Sequence, residues 1–176
     1  MPGKVCIESG RATMAEALKA SLAADMKRLD TTSERLGLRM QPSVKGFQSS
    51  VEEMIKVVAE YGGKPVLDLE TAFGTLEGSI ELVTEVRDGV SKNDLLELHI
   101  LLLGDAVAAF CWVNDPEPVA CCDNALLSME SGIAALREKS VRSDPVHAEF
   151  ADAVESIIKK IRSFVQEHYA SGLFAA

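Results

Sequence analysis

The chain has 176 residues, of which 47% are apolar, and its formal net charge is −9. This length and composition allow one full hydrophobic core, so we expect a folded domain and not a disordered tail. The acidic balance argues against nucleic-acid binding, because contact with phosphates needs clustered lysines and arginines.

The first predicted helix covers about residues 12–39 and carries leucines one heptad apart. These are Leu22, Leu29 and Leu36. Heptad spacing is typical of a seam that pairs two helices, so this helix is a candidate for oligomerisation or partner binding. The pattern stops at Met40-Gln41-Pro42-Ser43, which we interpret as a linker because a proline restricts the residue before it.

After the linker, apolar side chains recur at steps of three and four, which predicts amphipathic helices. The predicted helices run from Phe47 to the Gly62-Gly63 turn, over about residues 66–87, from a Ser91 cap through Val113, over residues 122–136, and from Pro145 to about residue 168. A capping-box spacing of Ser50 and Glu53 marks another possible start for the first of them. The break at residues 114–118 contains two prolines, and a loop with Ser140, Arg142 and Ser143 precedes the last helix.

We therefore expect an all-α fold, an antiparallel helical bundle of five to six helices preceded by a short coiled-coil-like N-terminal helix. Residues 1–43 form the predicted oligomerisation or partner-binding helix with its linker, and residues 44–176 form the bundle domain. The last helix has the clearest pattern. Its apolar face is predicted to consist of Phe150, Val154, Ile157, Ile161 and Phe164, between an Asp144 N-cap and an exit at Gly172.

Several short motifs occur in one order along the chain. They are Val44-Lys45-Gly46-Phe47, Tyr61-Gly62-Gly63, Cys111-Trp112-Val113 before Pro116-Glu117-Pro118, and a final run containing Glu167, Tyr169, Gly172 and Leu173. In this order and spacing the chain resembles the N-terminal helical domain of the cyclase-associated proteins. Two differences stand out: Tyr169 replaces a histidine of the family, and the third and fourth helices of its usual six would be merged here. The family's later regions have no counterpart in the 176 residues, which suggests a short form or an excised domain.

The resemblance implies an actin-cytoskeleton regulator that binds actin and cofilin-actin and promotes filament depolymerisation and turnover. It also implies a homo-oligomer formed through the N-terminal helix, and adenylyl cyclase as a further partner, because the family begins with Arg-Leu-Glu-type heptads. Here Arg28-Leu29-Asp30 and Glu34-Arg35-Leu36 are similar, and Arg28 and Arg35 are the matching cations. The expected localisation is cytoplasmic and associated with the cytoskeleton.

Enzyme signatures are missing from the sequence. It contains no nucleophile-elbow or phosphate-loop motif and no Glu-x-x-His pair, so we expect no catalytic residue, no metal and no cofactor. The four cysteines lack metal-ligand spacing and are expected to be reduced and mostly buried. Charged residues interrupt the most apolar stretch, residues 95–113, so membrane insertion is not expected.

Other interpretations stay open on sequence grounds. The chain could be a helical adaptor or signalling module of another family, or a small bundle enzyme or carrier with an apolar cavity beneath residues 101–110. Trp112 could be a core residue or an interface anchor, and Gly172-Leu173-Phe174 could be helix-end packing or a binding tip. A row of acidic residues could be a solvated face or a docking surface for a basic partner. The row comprises Glu70, Glu77, Glu81, Glu85 and Asp88.

Overall fold

The computed structural model describes the backbone of residues 3–63, 69–88 and 96–174, and the side chains of residues 13–63, 73–87 and 96–174. The α-helices are α1 (Gly3–Leu36), α2 (Gln41–Tyr61), α3 (Leu69–Asp88), α4 (Glu97–Val107), α5 (Pro118–Arg142) and α6 (Val146–His168). Short 3₁₀ helices cover Leu38–Met40 and Ala108–Asn114. No strand occurs in these described ranges, so the prediction of an all-helical bundle is confirmed.

Helix α6 occupies the centre of the bundle, where it packs against α5, α1 and α4. Four of its predicted core residues, Phe150, Val154, Ile157 and Ile161, have no exposed surface. Full burial of such a side chain contributes about 1.5–3 kcal/mol, so this stripe is a main source of stability. Helix α2 packs against α1, α3 and α4 and completes the second side of the core.

The predicted linker at residues 40–43 is wrong. The chain leaves α1 at Gly37, whose φ of 104° lies in the left-handed region that glycine adopts readily. Met40 is fully buried and α2 begins at Gln41, with Pro42 in its first turn. A proline is tolerated there because its missing N–H would have no helical partner. Ser50, proposed as another helix start, lies within α2, where its hydroxyl donates to the Gly46 carbonyl.

The helix predicted to run to Val113 is shorter than expected. Regular α-helix ends at Val107 and 3₁₀ geometry continues to Asn114, while the predicted Ser91 cap lies outside the described residues. The loop before α6 is also shorter, because Ser140 and Arg142 belong to α5. By contrast, the predicted end of α2 is confirmed at Gly62, and Gly63 follows with a φ of 68°.

Candidate functional site

The predicted partner helix, α1, lies against the bundle. Leu22 and Leu29 are 1% and 0% exposed, and Leu36 is half-buried against the same core. They belong to a longer buried row at heptad spacing that also includes Ala15, Leu18, Asp25 and Thr32. The seam that the sequence indicates is therefore occupied by other helices of the same chain, chiefly α6 and α2.

Ion pairs between helices reinforce this seam. Asp25, whose side chain is 13% exposed, accepts hydrogen bonds from Lys160 Nζ at 2.6 Å and Ser156 Oγ at 2.9 Å. The position is polar within an otherwise apolar row, and such a position fixes the register of two packed helices. Sequence reasoning missed this pair because its partners are 135 residues apart.

The two arginines of the heptad motif also face α6 and the turn before it. Arg35 bonds Asp144 at 3.0 Å and Glu149 at 2.7 Å, and an Arg28 nitrogen lies 3.6 Å from Asp152. These groups are between about a third and a half exposed, so each pair contributes little to the free energy of unfolding. They orient the outer edge of α1 on the bundle.

Two grooves border α1. The larger, with a volume of about 760 Å³, lies between α1 and α6 and has Met14, Leu18 and Phe164 in its apolar lining. The smaller, about 480 Å³, lies between α1 and α2 and is lined by Met26 and Ile55. Both combine an apolar floor with charged rims, so they could accept side chains of a partner helix.

The family-motif positions meet at the opposite end of the bundle from the Gly37 turn. The Gly63 amide donates to the Leu173 carbonyl at 2.7 Å, which ties the α2 exit to the C-terminal segment. A Cβ at Gly62 would collide with both the Tyr169 hydroxyl and the Val58 backbone carbonyl, so the close approach of these groups requires glycine here. Gly172 turns the chain with a φ of 109°, and Leu173 behind it is buried.

Trp112 and Tyr169 form the core of this junction. Their ring centroids are 5.6 Å apart, and the indole N–H of Trp112 donates to the Met54 sulfur at 3.2 Å. Trp112 is fully buried, which fits the core role and not the interface anchor. Phe174 packs on Phe73 with centroids 5.6 Å apart, so the C-terminal tip is helix-end packing. Of the motif residues, Glu167 stays exposed on the last turn of α6.

A shallow cleft of about 230 Å³ opens beside this junction, between α3 and the second 3₁₀ helix. Phe73, Leu76 and Ile80 line one side, and Cys111 and Asp115 belong to the other. Burial raises the pKa of the Cys111 thiol, with a smaller contribution from Asp115. The thiol is therefore protonated at neutral pH, so this cleft lacks an activated nucleophile.

The neighbouring cysteines are equally unreactive. Burial raises the pKa of both Cys121 and Cys122 to about 12. The Cys122 side chain is fully buried and Cys121 is partly exposed. Both thiols, like Cys111, are unpaired, while Cys6 lies outside the described side chains. A thiol that stays protonated reacts slowly as a nucleophile.

A histidine pair connects α4 and α6, with His99 fully buried and His147 partly exposed. His99 Nε2 and His147 Nδ1 are 3.0 Å apart, and His99 packs edge-on against Phe150. Burial, then the His147 ring and Lys139, lowers the pKa of His99 to about 3. The geometry fits one hydrogen bond between two neutral rings. Sequence reasoning missed this contact, because the two residues are 48 positions apart in the chain.

Within the described residues, no three histidine, cysteine or acidic side chains cluster as metal ligands. Two stretches, Glu97–Asn114 and Pro118–Arg142, are long and apolar enough to cross a membrane by length and composition. The first is mostly buried within the bundle, and both pack against α6 or its neighbours, as core helices of a globular domain do.

A family model described as CAP, N-terminal domain, matches residues 19–173. No curated protein matches the sequence. Two solved structures share the fold with a TM-score of 0.83 each. One is the N-terminal domain of CAP, described as showing variable oligomerisation, with 12% identity over 92% of this chain and 89% of that one.

The other is the N-terminal domain of the adenylyl cyclase-associated protein from Dictyostelium discoideum, with 11% identity over 92% of this chain and 94% of that one. At such identities the structural likeness speaks for the fold alone. The family match is the stronger finding, because it spans α1 from Lys19 onward, all of the bundle and the C-terminal Leu173. The chain belongs to the CAP N-terminal domain family.

Proposed function

We propose that the protein is a cytoplasmic regulator of the actin cytoskeleton that binds actin and cofilin-actin and promotes filament depolymerisation and turnover. The observation that carries this proposal is membership in the CAP N-terminal domain family over residues 19–173.

Such a domain acts by differential affinity. A ligand shifts an equilibrium only by binding one state more tightly than another, so the bundle would have to prefer the strained pointed end over the filament lattice. A rigid surface serves this purpose well, because little conformational entropy is lost on binding. The proposal includes α1 in the acting unit, and the buried α1 seam and the Asp25–Lys160 ion pair to α6 support it.

The test is pointed-end depolymerisation of single actin filaments, watched with and without cofilin. The full chain should accelerate subunit loss, and most strongly on cofilin-decorated filaments. Deleting residues 1–43 is a poor comparison, because it would expose the α6 surface that Leu22 and Leu29 cover. Unchanged depolymerisation at saturating concentrations of folded protein would refute the proposal.

We further propose that α1 supports self-association, as its heptad pattern suggests. Because Leu22 and Leu29 are buried, a second copy would use the grooves beside α1. Sedimentation equilibrium should give an oligomer for the parent chain, and Met26→Glu, in the α1–α2 groove, should shift it towards monomer. If Met26→Glu leaves the oligomer unchanged, the interface does not include the α1–α2 groove.

Adenylyl cyclase is a second proposed partner, suggested by Arg28-Leu29-Asp30 and Glu34-Arg35-Leu36. Leu29 is unavailable to a partner while α1 stays on the bundle, whereas Asp30 and Glu34 are exposed. Charge reversal of both residues should abolish co-purification with the cyclase. Binding that persists would show that the motif is not used.

A further inference from the structure

The outer face of α3 carries two parallel rows of residues, each repeating every four positions. The first row is Gly74, Gly78, Leu82 and Val86, and the second is Glu77, Glu81 and Glu85. Residues four apart lie above one another on a helix, so both rows run along the solvent side. We call these seven residues the α3 outer face.

The first row is an exposed apolar strip, and its N-terminal half consists of glycines without side chains. Leu82 is 59% exposed and Val86 is 37% exposed, which places both among the large apolar side chains most open to solvent. At Gly74 and Gly78 an added Cβ would meet nothing within 4 Å, so no other part of the described chain covers this end. From Gly74 to Val86 the strip is about 18 Å long at the helical rise.

The second row consists of carboxylates that form no ion pair with any described residue. Glu77, Glu81 and Glu85 are exposed, and none forms an ion pair within the described parts of the chain. Some acidic groups on other helices are paired, for example Glu138 with Arg142 and Glu155 with Arg137, whereas α3 presents three carboxylates in one row without such a pair among the described residues. Within the described residues no ion pair offsets these three negative charges, so the α3 outer face attracts cations.

Each feature is unfavourable for the isolated chain. Glycine inside a helix is less stable than alanine, like charges four residues apart repel each other, and an exposed leucine gains nothing from burial. All three are favourable for a helix that receives another helix, since small residues allow close approach and the exposed leucine becomes buried. The combination therefore indicates a surface whose stabilising contacts come from a second molecule.

We propose that the α3 outer face docks an amphipathic helix of a partner protein whose apolar stripe is bordered by lysines or arginines. The apolar row fits the stripe, with the partner backbone closest at Gly74 and Gly78. The carboxylates pair with the bordering cations. This interaction is separate from the proposed action on actin, and the test below uses no actin.

The probe is a synthetic helical peptide of about 18 residues with a leucine and alanine stripe bordered by lysines, long enough to cover the strip. Titrated into the isotope-labelled full chain, it should shift backbone amide resonances of residues 73–87 saturably. A peptide of the same composition in scrambled order should bind at least about tenfold more weakly, because hydrophobic binding needs the apolar residues on one side.

Charge reversal by Glu81→Lys with Glu85→Lys should weaken binding of the ordered peptide about tenfold or more, and added salt should weaken parent binding. The matched control is Glu130→Lys with Glu138→Lys, two exposed glutamates on α5 whose reversal changes the net charge by the same amount. That control should leave the affinity within about twofold, since α5 surface residues lie outside the proposed contact.

A second variant separates docking from folding. Gly78→Gln replaces a poor helix former with a better one, so the thermal midpoint should stay equal or rise by about 2 °C. The long side chain blocks close approach, and binding should still weaken about tenfold. A loss of affinity without a loss of stability supports the proposal.

Any of four results would overturn it: no saturable binding of the ordered peptide, equal binding of the scrambled peptide, resonance shifts centred on another helix, or equal affinity of the parent and the charge-reversed chain. Sedimentation equilibrium could give a fifth result that overturns the proposal. A dimer that Glu81→Lys with Glu85→Lys dissociates would assign the face to a second copy of the chain and overturn the partner-helix proposal.

Discussion

The α1–α6 seam and the α3 outer face carry similar residues, but the seam is buried against other helices and the α3 outer face is exposed to solvent. Both have apolar residues at helical spacing beside acidic ones. In the seam, Leu29 is fully buried and Asp25 is bonded to Lys160, whereas on α3 Leu82 is 59% exposed and the glutamates have no ion pair within the described chain. The sequence pattern alone therefore does not decide whether such a row packs inside the chain or stays available to another molecule. The decision depends on whether another helix of the same chain covers it.

The largest difference should come from truncating one leucine on each surface. Leu29→Ala removes a fully buried side chain and leaves a cavity between α1 and its neighbours, which should lower the free energy of unfolding by about 4 kcal/mol. Leu82→Ala should change it by less than about 0.5 kcal/mol, since solvent already surrounds most of that side chain. Urea denaturation measures both. Similar losses at the two sites would contradict the comparison.

Acid should weaken the α6 side of the bundle through His99. Its pKa is about 3 in the folded chain against an ordinary 6.5, so between these values the unfolded chain binds a proton that the folded chain does not. Stability is complete above pH 6.5 and falls by up to about 1.4 kcal/mol per pH unit below it, or about 3 kcal/mol by pH 4.

The check is the free energy of unfolding as a function of pH for the parent and for His99→Phe, which keeps a ring next to Phe150. The variant should lose the histidine part of the slope, whatever its stability at neutral pH. The other groups near the pair, His147, Lys139 and Asp144, are unchanged in both chains. Parallel curves for the two chains would mean that His99 does not cause the acid sensitivity.

Local patterns predicted the helices well and their assembly less well. The spacing of Phe150, Val154 and Ile157 identified the buried face of α6, because the helical period fixes which residues share a side. The linker predicted at Pro42 is a helix start, since a proline is compatible with either. The break at Gly37 depends on a left-handed conformation that sequence alone does not require.

Contacts between distant segments were beyond sequence reasoning. The Asp25–Lys160 and His99–His147 pairs join residues 135 and 48 positions apart, and a single sequence carries no signal for such contacts. The same limit applied to α1, whose leucines suggested a free seam because their internal partners on other helices were unknown. Exposure on α3 was equally undecided, since the acidic row fitted both a solvated face and a docking surface.

The ion pair in the seam allows an intermediate test. Asp25→Ala removes a largely buried carboxylate and leaves Lys160, whose side chain is 40% exposed, free to turn to solvent. We expect a loss of about 1–2 kcal/mol, below that of a fully buried pair because solvent screens the lysine. Asp25→Leu should recover part of this loss, because a leucine there continues the apolar heptad. Urea denaturation measures the free energy of unfolding of both variants. A greater loss of stability for Asp25→Leu than for Asp25→Ala would contradict the view that position 25 continues the apolar heptad.

The smallest expected effects come from neutralising carboxylates. Neutralising a paired one should lower the free energy of unfolding, and neutralising unpaired ones should raise it. Burial opposes ionisation of Glu155, but hydrogen bonds from Lys159 and Arg137 together hold its pKa below the ordinary value. Glu155→Gln should therefore lower the free energy of unfolding by about 0.5–1 kcal/mol.

On α3, Glu81→Gln with Glu85→Gln removes repulsion between like charges four residues apart, so we expect a gain of about 0.3 kcal/mol. The gain should shrink at high salt, where the parent repulsion is already screened. Urea denaturation at low and high salt, with replicate precision better than this difference, measures both variants. A loss of stability on α3 would mean that these carboxylates already have cationic partners in the folded chain. The α3 outer face would then resemble the α1–α6 seam in its electrostatics, and the contrast between the two surfaces would rest on the exposure of Leu82 and Val86 alone.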